Sequence, residues 1–234
     1  MKIGPLFKWF GSKWQSAKRY PSPYHQLLIE PFAGSAGYAL NYVDSSVIIW
    51  DTDPHLAVLW PWLIGPATSQ DVLDIPLGVK PGTDIRTLGL NPGQMLLLKN
   101  WQRTNNVGDC WTISAWGNKP GQWTAHTRSR IAEEIHAVKH WRFMSPNSNW
   151  IATWYIDPPY QYNYRYDKRL PAIDYAALTA QINAINPASL VIVCEATDKQ
   201  TGAIPDYLPF KLSHSAVTSR RNHSNECIYV RHGG

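Results

Sequence analysis

The sequence predicts an α/β fold: a mostly parallel sheet interleaved with helices, one small inserted region and a closing antiparallel hairpin. Three observations predict it. Apolar runs at residues 26–31, 47–50, 150–157 and 190–196 have the length and the β-branched, aromatic make-up of buried strands. The first two runs are separated by a glycine turn and a helix-like piece, within the span of about thirty residues that a βαβ crossover needs. The last two are separated by DYAALTAQINAI, which is helical in pattern.

In chain order, QLLIEP reads as the first strand, FAGSAG as a turn, YALNYV as a helix, and VIIW as a second strand ending at Asp51. Between Pro61 and Pro92 the scattered prolines and glycines leave little period of either kind, so connections are expected there. QMLLLKNW is helical in pattern, a polar stretch studded with tryptophan follows, and then comes RSRIAEEIHAVKHW. In this last piece Ile131, Ile135 and Val138 recur on one helix face. Residues 94–149 therefore read as an insert, with 1–93 and 150–234 as the body of one domain. The final runs, PFKLSHS and ECIYVR, flank the polar SRRNHSN and predict a hairpin with a long basic tip.

A chain of 234 residues buries one substantial core. Its formal charge of +5 favours a polyanionic partner. Three cysteines, Cys110, Cys194 and Cys227, form no C-x-x-C pair, which disfavours a disulfide framework or a cysteine-rich zinc site and fits a reducing, cytoplasmic setting. The eight histidines show no ligand spacing, so no metal is expected. No stretch approaches the length of a membrane span, and the N-terminus lacks a signal-peptide core.

Two constellations carry chemistry. In the first, Glu30, Pro31, Phe32, Ala33, Gly34, Ser35, Ala36 and Gly37 follow the first strand, where glycines permit positive φ and a close approach to the backbone. Asp51 ends the next strand at nearly the spacing of an acid that hydrogen-bonds ribose hydroxyls, so together they describe a nucleoside-cofactor pocket. A glycine turn alone is as often a plain tight connection. The G-x-G-x-x-G and G-K-[ST] patterns are missing, which disfavours dinucleotides and nucleoside triphosphates.

The second constellation is Asp157-Pro158-Pro159-Tyr160, directly after an apolar strand. Paired prolines fix a stiff, extended backbone with outward carbonyls. An exocyclic base amine is a poor nucleophile because its lone pair is delocalised into the ring. A carboxylate at Asp157 and the Pro158 carbonyl, both accepting its hydrogens, would localise that lone pair toward a methyl donor. Tyr160 suits stacking on a base taken out of its duplex. The competing reading is an ordinary turn after a strand.

At these positions the chain resembles the Dam-type adenine-specific DNA methyltransferases. Phe7-Lys8-Trp9-Phe10-Gly11-Ser12-Lys13 is similar to the family's opening motif, EPFAGSAG to its glycine motif, Asp51 to its ribose-binding acid, and Asp157 to Tyr160 to its catalytic tetrapeptide. SRRNHSNECIYV looks like its closing hairpin, more loosely. The resemblance implies a Rossmann-like, S-adenosylmethionine-dependent methyltransferase fold. It implies catalytic Asp157, Pro158, Pro159 and Tyr160, and cofactor contacts from Trp9, Lys13, Glu30, Pro31, Phe32, Gly34, Ser35, Gly37, Asp51 and Asp157. It further implies methylation of adenine N6 in double-stranded DNA, the base being flipped out, with the insert reading the target. The chain departs from the family in its short insert and in lacking an evident acid for the cofactor's adenine in residues 61–92.

Within residues 100–150, Arg103, Lys119, Arg128, Arg130, Lys139 and Arg142 interleave with Trp101, Trp111, Trp116, Trp123 and Trp141. Such a mixture suits backbone contact and base stacking, and it equally suits a solvated basic face over packed tryptophans. Arg128 and Arg130, with Arg220 and Arg221 in the hairpin tip, are the expected DNA contacts. Tyrosines at 160, 162, 164 and 166 fit either a loop over the base or an extended aromatic edge. Glu195 reads as a surface carboxylate or as one facing the cleft. Rival functions are N4-cytosine methylation, RNA in place of DNA, and a non-catalytic nucleic-acid binding module.

Overall fold

A computed structural model of the protein describes residues 2–102, 110–160, 173–196, 215–218 and 225–233. The strands are β1 (Leu27–Glu30), β2 (Ser46–Ile49), β3 (Arg142–Phe143), β4 (Thr153–Ile156), β5 (Leu190–Ala196), β6 (Ser215–Thr218) and β7 (Asn225–Arg231). They form one sheet of seven in the order β3-β2-β1-β4-β5-β7-β6. The pairings from β3 through β5 are parallel, and β7 lies antiparallel to both β5 and β6. The mixed, mostly parallel sheet with a closing antiparallel pair is the expected α/β architecture, compatible with a Rossmann-like fold. The first strand of the closing pair starts at Ser215, where PFKLSHS ends.

Period-two alternation sorts the strand residues onto two faces. Leu28, Val47, Ile49, Tyr155, Ile192 and Ile228 pack into the larger core. Ile29, Ile48, Trp154, Ile156, Val191 and Val193 pack into a smaller one on the other side. Helices α1 (Leu56–Ile64), α2 (Ser69–Leu73), α3 (Pro92–Trp101) and α4 (Ala125–Glu134) contribute to the larger core, while α5 (Tyr175–Asn183) contributes to the smaller.

Local chemistry starts these helices where they start. Thr68 with Asp71, and Asn91 with Gln94, form reciprocal capping boxes for α2 and α3, and Pro92 opens α3, where its missing N–H costs nothing. Thr124 and Asp174 cap α4 and α5 through single side-chain bonds. The Asp53 carboxylate accepts from the His55 and Leu56 N–H groups at the start of α1.

Two expectations are corrected. No α-helix joins β1 to β2: YALNYV contributes turns and a single 3-10 turn at Ala39–Asn41. The buried Glu30 carboxylate takes the Ala39 N–H there, and Asn41 donates to the Trp14 and Gly37 carbonyls, so the crossover is tied to its surroundings instead of to a helical ladder. The stretch read as connections holds the last turn of α1 and all of α2. Pro61 sits inside α1, whose buried Leu56, Leu59, Trp60 and Leu63 have helical spacing. Residues 94–149, read as an insert, are joined to the body through the sheet and the core. They supply the edge strand β3, and Leu97, Trp101, Trp123, Ile131 and Trp141 share the larger core with β1 and β2.

Among the described residues no helix is long and apolar enough to cross a membrane, and no group of three or more His, Cys, Asp or Glu side chains could hold a metal ion.

Candidate functional site

From β1 the chain steps outward to β2 and β3, then returns to β4 beside β1 and steps the other way to β5. The strand order therefore reverses between β1 and β4, and open α/β sheets bind ligands outside the carboxyl ends of the strands at such a point. Glu30 ends β1, and Asp51 and Asp157 lie just past β2 and β4.

The glycine turn is shaped around the N-terminal arm. Gly34 has φ +48°, and a Cβ there would come within 2.6 Å of the Trp9 ring. At Gly37 a Cβ would lie 2.7 Å from the backbone nitrogens of Lys13 and Trp14. Ser35 donates its hydroxyl to Ser12 at 2.8 Å. The Asp51 carboxylate accepts the Gly34 N–H on one oxygen and the Asp53 N–H on the other, each at 2.9 Å. The Trp60 indole donates to the Gly34 carbonyl at 2.8 Å from the core side. Burial pushes the Asp51 carboxyl up, and these backbone N–H bonds oppose the push. Burial likewise holds Glu30 well above the ordinary carboxylate range.

Lys13 reaches across the turn to the tetrapeptide. Its ammonium donates to both oxygens of Asp157 at 2.8 Å, and also to the Gly11 carbonyl at 3.1 Å. The same nitrogen lies 4.8 Å from the centre of the Tyr160 ring. The side chains of Lys13 and Asp157 are only 8 % and 15 % exposed, so water screens the pair poorly. Burial raises the Asp157 carboxyl and Lys13 acts against it. Beneath β4, Tyr155 is stacked between Tyr38 and Tyr20, at ring distances of 4.3 and 5.9 Å.

A cavity of about 400 Å³ opens on the α5 side. Pro31 and Phe32 line it from the end of β1, Trp50 and Thr52 from the end of β2, and Ser145, Pro146 and Ser148 from the loop behind β3. Trp154 and Ile156 of β4 and the inner face of α5 complete it. Its size lies within the range of small-molecule sites, about 300–1,000 Å³. The loop behind the third strand thus falls at residues 144–148, outside the 61–92 stretch, because β3 is the strand at Arg142–Phe143.

Trp9, Lys13, Gly34, Asp51, Asp157 and Tyr160, drawn from four separate stretches, meet at the switch point, with Phe32 at the cavity wall. Arg128 and Arg130 do not join them. Arg128 donates to the Ile75 carbonyl at 3.1 Å. Arg130 is paired with Glu134 and donates to the Pro5 carbonyl at 2.7 Å, while Glu134 also accepts the Gly4 N–H at 3.2 Å. Their half-buried heads hold contacts inside the molecule. Arg220, Arg221 and the tyrosines at 162, 164 and 166 lie outside the described residues. Glu195, expected on the surface or at the cleft, is completely buried.

No protein-family model and no curated protein matches this chain.

Sequence reasoning missed Tyr175, whose hydroxyl donates to the Pro159 carbonyl at 3.0 Å and so pins the tetrapeptide to α5. Nothing local marks that role, since Tyr175 stands one place after an N-cap and reads as a helix residue. It also missed Trp60, buried one residue before Pro61.

Proposed function

We propose that this chain is an S-adenosylmethionine-dependent methyltransferase acting on the N6 amine of adenine in DNA. The observation that carries the reading is the seat formed by Asp157 and Tyr160. A buried carboxylate there already accepts two charge-assisted bonds from an N–H donor poised over an aromatic ring, beside a glycine turn and an acid at the switch point. A base amine is another such donor, and an aromatic ring stacks on any planar base.

The residues present fit the cofactor. The aromatic cavity wall of Phe32 and Trp50 suits a purine, Asp51 keeps lone pairs for ribose hydroxyls beyond its two backbone bonds, and Trp9 closes the turn from above. When bound, S-adenosylmethionine supplies an electrophilic methyl group. Asp157 and the Pro158 carbonyl accept the two hydrogens of the amine, which turns its lone pair out of conjugation and toward that carbon. Methylation would leave the nitrogen cationic, and Asp157 would stabilise that charge and take the surplus proton. Tyr175 holds the Pro159 carbonyl and so keeps the tetrapeptide in register. No covalent bond to the protein is needed; Cys194 and Cys227 are buried strand residues, and the Cys194 thiol donates to the Tyr155 hydroxyl.

The test is to incubate the purified protein with unmethylated DNA and S-adenosylmethionine, digest to nucleosides and identify the product by mass spectrometry. N6-methyladenine is the expected result. N4-methylcytosine would keep the carboxylate chemistry and change the base, and absence of product on both DNA and RNA would overturn the proposal.

A further inference from the structure

The stretch between Asn100 and Trp150 mixes cations with tryptophans, and the structure separates those with internal work from those without. Arg128 and Arg130 bind backbone carbonyls, and Lys139 caps the end of α1 by donating to the carbonyls of Leu63, Gly65 and Ala67. Trp101, Trp123 and Trp141 are buried. Trp116 is 59 % exposed, and Lys119 beside it is exposed as well.

The loop that displays this pair is braced. Gly117, Lys119 and Gln122 each donate a backbone N–H three residues back, Trp123 donates to the Gly117 carbonyl, and the Ser114 hydroxyl donates to the Gln102 carbonyl at 2.6 Å. Asn118 ties the tip to the Val79 carbonyl at 3.1 Å, next to the exposed Lys80. The Lys119 ammonium lies 3.6 Å from the centre of the Trp116 ring, which covers one face of the indole and fixes its orientation. An exposed tryptophan held this way is prepared for a stacking partner at little cost in side-chain entropy. At the foot of the loop Thr112 bridges to Asp84, whose carboxylate is taken by Arg86 at 2.5 Å, so the surface stays positive.

The loop adjoins the candidate site. Gln122 accepts from Lys8 at 2.8 Å, one residue before Trp9 on the arm. At its other end the Trp111 ring lies 5.6 Å from the ring of His55, the N-cap of α1. We infer that Trp116 and Lys119 form a nucleic-acid contact at the rim of the site, Trp116 stacking on a base flanking the target while Lys119 and Lys80 meet phosphates. This inference rests on the proposed action on DNA and supplies a substrate contact in place of Arg128 and Arg130.

The experiment measures binding of a fluorescein-labelled DNA duplex by anisotropy over a series of salt concentrations. It uses the full chain and the variants Trp116→Ala, Trp116→Phe and Lys119→Met, with calorimetric binding of S-adenosylmethionine as the control for an intact site. Trp116→Ala is expected to weaken duplex binding by roughly ten-fold or more and Trp116→Phe by much less, because stacking needs only an aromatic face. Lys119→Met is expected to lower the slope of log affinity against log salt by about one. Cofactor binding should be unchanged in all three. Trp116→Ala binding duplex as tightly as the unaltered chain would overturn the contact and leave the enzymatic reading standing. A change in self-association in place of DNA binding would make Trp116 a protein interface and overturn it too. Failure of the unaltered chain to bind DNA, with no methylated product, would remove both.

Discussion

An ammonium at 2.8 Å from both oxygens of a poorly exposed carboxylate sets what each can do. Asp157 must be ionised to accept amine hydrogens. Burial raises its pKa, Lys13 holds it down, and the buried Glu30 lies close enough to interact with it. Lys13→Met removes the opposing cation, so the acid limb of kcat/KM should move to higher pH than in the unaltered chain, with activity partly regained as pH rises. An acid limb that stayed in place would show that Lys13 does not tune Asp157. Asp157→Ala should lower turnover by about a hundred-fold or more, since it removes a charge-stabilising contact at the reacting atom. The measurement is single-turnover kinetics at saturating cofactor.

Glu30 yields a prediction about stability at the same scale. Its folded pKa is raised well above the ordinary value of 4.5, so it binds its proton more tightly folded than unfolded. Its contribution is complete below the ordinary value and is lost as pH rises through the folded one. Glu30→Gln keeps an acceptor for the Ala39 N–H and removes the titration, so the fall in the urea midpoint across that window should flatten. Glu30→Ala leaves the N–H without its partner and should cost about 1–3 kcal/mol.

The N-terminal arm has a single 3-10 turn, at Ala17–Arg19, and is held by cross-links to α3, α4 and the loop before α4. Trp101 donates to the Leu6 carbonyl at 2.9 Å, Lys8 to Gln122, and Arg130 with Glu134 grips Gly4 and Pro5. Helices α3 and α4 thus hold the segment that carries Trp9 and Lys13 to the glycine turn. Arg130→Leu should therefore raise the KM for S-adenosylmethionine several-fold with little change in kcat, and leave the salt slope of DNA binding unaltered. A reduced salt slope with normal cofactor KM would restore Arg130 to the DNA surface. Strands β1, β2, β4 and β5 and helices α3, α4 and α5 were legible, because apolar runs and helical period are local, whereas the caps at Thr68 and Asn91 lay in a stretch read as connections. α1 was obscured by Pro61, and a helix between β1 and β2 was expected from a pattern that the Glu30 and Asn41 side chains tie into turns.

At the scale of the whole molecule the two faces of the sheet are unequal. The larger core is covered by the arm and four helices, whereas α5 covers part of the other face, and the cavity of about 400 Å³ lies beside it. If that cavity receives the cofactor, Ser145→Trp at its wall should weaken S-adenosylmethionine binding by roughly ten-fold or more while thermal unfolding changes little. Calorimetric titration with the cofactor checks both the affinity and the stoichiometry.

The amino-acid order by itself determined strands β1, β2, β4 and β5 and the residue types gathered at their carboxyl ends, because these depend on period, turn chemistry and side-chain identity within a few residues. Only the tertiary structure decided that Lys13 meets Asp157 across 144 positions, that Arg130 grips Pro5 across 125, and that residues 142–143 close one edge of the sheet. The physical reason is the same in each case. A long cation can end on a phosphate, a carboxylate or a carbonyl, and a two-residue strand carries no period, so which partner each finds depends on what folding brings within reach.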